Sequence, residues 1–124
     1  MLFTLGTLDL LPVRERAIVV TALLEGLVTA NRLYLSRVGA PKLYESGMRY
    51  VPTPAWKDIP ACLSDRAADC KGLVAWRLAE LRAAGEQAYA RVEHFRLEHG
   101  DKLHLQVMRA TGEVEDPSRK LGMT

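Results

Sequence analysis

The sequence predicts an α+β fold, with helical sequence first and strand sequence last. Three observations carry this: an apolar run with helical spacing from Val13 through Leu35, a second helical run opening at Cys70, and a change of period after Gly85. With 124 residues the chain suits a single domain, 1–124, in three parts: a helix over 12–38, an ordered loop over 42–68, and a chemistry-bearing half over 69–124.

Pro12 suits the first turn of the N-terminal helix, and Gly39 with Pro41 ends it. Its apolar residues are too many for one narrow stripe, so it is expected to pack on the domain with one side and on a second copy or a partner protein with another. The run Ala17 to Ala30, AIVVTALLEGLVTA, invites a membrane reading, but Glu25 interrupts it and Arg16 and Arg32 flank it. It is also shorter than the roughly 20 apolar residues of a spanning helix, so no membrane span is expected.

Between Lys42 and Ala68 stand Pro52, Pro54 and Pro60, Gly47, and the aromatic residues Tyr44, Tyr50 and Trp56. Proline removes a donor and restricts the residue before it, which predicts ordered loop with a short helix near Ile59 to Asp65. The helix from Cys70 to about Ala84 has apolar groups all round, which places it in the middle of the fold. Strands are expected at Gln87 to Phe95, Leu103 to Arg109 and Glu113 to Glu115, with Thr111-Gly112 forming a tight turn between the last two.

Seventeen Lys and Arg against fifteen Asp and Glu give a formal charge of +2 with both signs scattered. Nucleic acid is therefore not an expected partner, since Arg14, Arg16, Arg32 and Arg37 only spread along one helix. Cys62 and Cys70 do not make a metal-type pair, and neither a metal nor a cofactor is expected.

In DCKGLVAWRLAELRAAGEQA, residues 69–88, Asp69 is a good N-cap and Cys70 opens the helix. Backbone donors and the positive helix end favour the thiolate there, while Asp69 opposes it and leaves a basic partner to be found. His94, His99 and His104 are available. His99 lies in the polar turn LEHGDK and His94 near a strand end; only His104, in KLHLQV, is followed one hairpin later by an acid placed to meet it, Asp116. Cys70, His104 and Asp116 are the candidate catalytic residues. Read singly, a cysteine on an apolar helix is core filler and Asp-Pro-Ser opens a turn; read together they stand in the order that cysteine catalysis requires.

The run CKGLVAWRLAELRAAGEQAYARVEHF resembles the core motif of the transglutaminase-like cysteine enzymes, and HLQVMRATGEVEDPS resembles that family's His-bearing strand and Asp-Pro-Ser/Thr segment. YESGMRY, followed by a Trp and an Ile-Pro, is similar to short stand-alone forms from tailed bacteriophages and prophages. The resemblance implies a papain-like transglutaminase core, with the nucleophile helix on a small antiparallel sheet. It implies Cys70 as nucleophile, His104 as general base and acid, and Asp116 as the residue orienting the histidine. The implied activity is acyl transfer or hydrolysis on a protein or peptide substrate, with Tyr50 and Trp56 as substrate-binding candidates and the Cys70 N–H as oxyanion donor. A bacterial host cytoplasm or a virion is the implied location, and an inactive assembly protein on the same fold is the alternative. Ala68 before Asp-Cys, Lys71-Gly72 after it and Leu105 after the histidine depart from the family pattern.

Overall fold

The computed structural model describes residues 2–3, 11–98 and 100–124, so His99 lies outside the described residues. The fold is mixed α and β, with a long N-terminal helix and small sheets. Helix α1 runs Val13–Arg37 with Pro12 as its N-cap residue. Gly39, at φ 89°, lets the chain turn back so that its N–H and that of Val38 both reach the Tyr34 carbonyl. Val20, Leu24, Leu27, Val28 and Asn31 form the buried face of α1. On the opposite side Ile18 and Leu33 are 65% and 48% exposed. By length and composition α1 is the one helix among the described residues long and apolar enough to cross a membrane; its buried face packs in the core with the helix that opens at Cys70.

The segment after α1 holds more regular structure than its prolines suggest. Short strands β2 (Arg49–Tyr50) and β4 (Ala67–Ala68) pair in parallel, while β1 (Leu2–Phe3) and β3 (Trp56–Lys57) pair antiparallel. Helix α2, Ile59–Asp65, has Asp58 as its N-cap, accepting from Ala61 N–H at 3.1 Å. A further orphan donor of that helix, Ile59 N–H, is taken by the buried Asn31 Oδ1 of α1 at 2.8 Å. Strand pairings of two residues carry no periodicity, which is why the sequence reads as loop there.

Helix α3, Cys70–Ala83, is the centre of the molecule, as its all-round apolar composition requires. One side, with Val74, Ala75, Leu78 and Ala79, meets α1 and the Leu105 and Val107 side chains. The other, with Leu73 and Trp76, covers Leu43, Met48, Ile59, Cys62 and Ala68. Gly72 is fixed by this packing, because a Cβ there would lie 3.0 Å from Ala68 Cβ, 3.3 Å from Cys62 Sγ and 3.4 Å from the Lys57 carbonyl oxygen. None of those atoms ends a flexible chain. Gly72→Ala is therefore expected to destabilise by about 1–2 kcal/mol despite alanine's higher helix propensity, as overpacking outweighs the propensity gain. Urea unfolding measures it.

The C-terminal sheet has the order β5-β6-β7, with β5 Tyr89–Leu97, β6 Gly100–Met108 and β7 Val114–Glu115. Both pairings are antiparallel, with Val92 opposite Leu105 and Val107 opposite Glu115. The turn between β6 and β7 closes through Arg109 N–H to the Glu113 carbonyl at 2.8 Å, with Gly112 at φ 89°. Helix α4, Pro117–Lys120, follows directly.

Candidate functional site

The fold brings Cys70 and His104 to one cleft of about 570 Å³. Tyr50, Pro52, Thr53 and Pro54 form one side; Lys102, Leu103 and Leu105 of β6 form another; Trp56, Asp69, Lys71 and Val20 also contribute. The cysteine end is set by helix capping. Asp69 Oδ1 accepts the Lys71 N–H at 3.0 Å, and the Gly72 N–H also reaches the carboxylate. This fixes the first turn of α3 and the position of the sulfur. The Lys71 ammonium pairs with the same carboxylate and donates to the Thr53 carbonyl at 3.1 Å, lying 5.7 Å from the Trp56 ring centre. Lys71 thus ties the proline-rich wall of the cleft to the start of α3.

The histidine end is set by strand register. His104 and Gln106 share one face of β6, and Asp116 follows β7 directly. His104 Nε2 lies 2.9 Å from Asp116 Oδ2, and Gln106 Nε2 donates to the same oxygen at 3.1 Å. Asp116 also caps α4, its Oδ1 accepting from Arg119 N–H at 3.2 Å. Burial works to raise the Asp116 carboxyl, but the hydrogen bonds from His104, Gln106 and Arg119 N–H outweigh it and hold the group below the ordinary carboxylate range. A carboxylate here only accepts, so Nε2 carries the proton of the neutral imidazole and Nδ1 keeps a lone pair for use as a base.

The Gln106 amide is oriented in turn. Its oxygen accepts from Arg91 Nη1 at 2.5 Å, and a guanidinium only donates, so the amide nitrogen must face Asp116. Sequence reasoning missed Gln106. The available signal was its place two residues after His104 on a strand, where it shares the histidine's face. Gln106→Leu is expected to lower activity about tenfold, roughly the value of one hydrogen bond to a charged group. It should also move the acid limb of the pH–rate profile to higher pH, because Asp116 loses a bond that favours its ionised form.

One expectation requires correction. Position at a helix start does not make the Cys70 thiol acidic: burial pushes it up to about 11, with the Asp69 charge acting the same way. The Leu105 N–H, which donates to the sulfur, and the Lys71 and Lys102 ammonium groups pull in the opposite direction without prevailing. At neutral pH the sulfur therefore keeps its proton unless His104 takes it. Cys62 is fully buried, pushed up to about 12 chiefly by burial, and lies 3.8 Å from the Lys57 carbonyl oxygen.

Both aromatic candidates line the cleft, in different ways. Trp56 is only 2% exposed and packs in the core, whereas Tyr50 is half-buried and close enough to Cys70, Asp69 and Asp116 for burial and their charges to raise its phenol. Tyr50 N–H donates to the Leu121 carbonyl at 2.8 Å, which joins this wall to the C-terminal segment carrying Asp116. His94 is exposed on β5. Among the described residues no group of three or more His, Cys, Asp or Glu is arranged to hold a metal ion. The chain matches no family model, no curated protein and no solved structure.

Proposed function

We propose that the protein is a cysteine-dependent acyl-transfer or hydrolytic enzyme with a papain-like transglutaminase core, using Cys70, His104 and Asp116. The observation carrying this reading is that His104, held 2.9 Å from Asp116, lines the same cleft as Cys70. A histidine 2% exposed, whose ring is oriented by a carboxylate that is itself oriented by a glutamine, is costly to build as ordinary core.

In the proposed reaction the lone pair of His104 Nδ1 accepts the Cys70 proton as the sulfur attacks a carboxamide or peptide carbonyl. Asp116 stabilises the resulting imidazolium. The Cys70 N–H at the start of α3 serves the oxyanion, and the imidazolium then protonates the departing amine. A thioester on Cys70 remains, and water or an amine resolves it. The sequence resemblance supports a phage or prophage source, with the protein acting in the host cytoplasm or on the particle.

The test is a matched pair of reactions with p-nitrophenyl acetate. The intact protein is expected to give a burst of nitrophenolate and a peptide acetylated at Cys70, and Cys70→Ala neither. A burst that survives Cys70→Ala would overturn the assignment. A second reading, an assembly protein that keeps this fold without turnover, is favoured by Ile18 and Leu33, apolar and exposed on the side of α1 away from the core.

A further inference from the structure

The charges around the cleft do not cancel. Asp69 is answered by Lys71, and Asp116 by the His104 and Gln106 donors, with Arg119 Nε a further 3.4 Å from its Oδ2. Lys102 remains. It is exposed, lines the cleft two residues before His104 on the same strand, and has no ion-pair partner among the described residues. Its charge reaches the Cys70 sulfur. The neighbouring wall is apolar or neutral, with Pro52, Pro54 and Leu103. A cation at a partly enclosed wall attracts an anion more strongly than the same cation on an open surface.

We propose that Lys102 makes the cleft select acyl donors carrying a carboxylate beside the reacting carbonyl, that is, peptides with an acidic side chain at the position attacked. This rests on Cys70 being the nucleophile of the cleft. Lys102 is a specificity residue and takes no part in bond making.

Two reagents that differ only in charge test it on the full chain. Iodoacetate and iodoacetamide both form a carbon–sulfur bond with Cys70 while the carbon–iodine bond breaks, iodide leaves with the electron pair, and the thiol proton passes to His104 or solvent. Relative to N-acetylcysteine, Cys70 is expected to favour iodoacetate about fivefold, the size of one unit charge acting across a partly solvated gap. Lys102→Gln should bring the ratio to that of N-acetylcysteine, Lys102→Glu should take it below, and high salt should compress all three towards one value. In acylation, the α-p-nitrophenyl ester of N-acetylglutamate should outpace that of N-acetylglutamine by a similar factor, and Lys102→Glu should reverse the order.

An alkylation ratio that Lys102→Glu leaves unchanged overturns the proposal, as does equal acylation by the two esters. Failure of the catalytic reading looks different: His104→Ala would then leave the rates of both alkylating reagents unaltered, whatever their ratio.

Discussion

His104→Ala is expected to slow acylation of Cys70 by about 10²–10⁴-fold at neutral pH, the usual range for loss of a general base. The expectation follows from burial. With the thiol pushed up to about 11, almost none of it is ionised at neutral pH without a proton acceptor beside it. Because His104 is buried and bonded to Asp116, the alanine variant also loses packing. His104→Gln supplies the control, since its amide can still donate to Asp116 but does not act as a base. Both variants should show the same slow acylation, with His104→Gln nearer the parent in thermal stability. A glutamine variant that acylates at the parent rate would show that the ring has no role in proton transfer.

The largest expected effect on stability is at Glu115, one residue before Asp116. Its side chain is 5% exposed and accepts from Arg77 Nε at 2.7 Å, Arg109 Nη1 at 2.9 Å and Tyr44 Oη at 2.5 Å. These contacts join β7 to α3 and to the aromatic segment after α1, and so fix where Asp116 emerges. Arg77 keeps Glu80 at 3.2 Å and Arg109 keeps Glu86 at 2.6 Å, so neither guanidinium is left unpaired. Glu115→Ala nevertheless removes three hydrogen bonds to a buried charge, and is expected to cost about 3 kcal/mol in urea unfolding. The pH dependence has a definite sign. Burial works to raise the Glu115 carboxyl, but Arg77, Tyr44 and Arg109 overcome it and hold the group below its ordinary range. A depressed folded value means that the contribution is complete above the unfolded carboxylate range and is lost as pH falls through the folded value. The gap between parent and variant should therefore be full at neutral pH and shrink on acidification. A gap that stays constant into acid would assign the loss to packing rather than to charge.

Much of this was legible in the sequence because the decisive signals were local or periodic. Asp69 before Cys70 marks a helix start by capping chemistry, and the apolar surround of α3 marks it as central. Thr111-Gly112 marks the turn that brings Asp116 back beside β6. What stayed hidden depends on partners distant in sequence. The two-residue strands at 49–50, 56–57 and 67–68 exist only through their pairing. The structural part of Lys71 appears only when Thr53 and Asp69 are seen beside it. The thiol's rise is a property of enclosure, so a helix-start argument that ignores desolvation predicts the wrong direction.

The central claim, that His104 makes Cys70 a nucleophile, is tested most directly by the rate of Cys70 alkylation by iodoacetamide against pH, read by peptide mapping in the parent and in His104→Gln. Cys62 is a slow background because it is enclosed and harder still to ionise. The account predicts that the parent rate rises through an inflection below the free-thiol value of about 8.5, and that the inflection moves to clearly higher pH in His104→Gln, where burial and the Asp69 charge oppose ionisation with no imidazole to take the proton. Coincident curves, both rising only at strongly alkaline pH, would contradict it and leave Cys70 as an ordinary half-buried thiol beside a structural histidine.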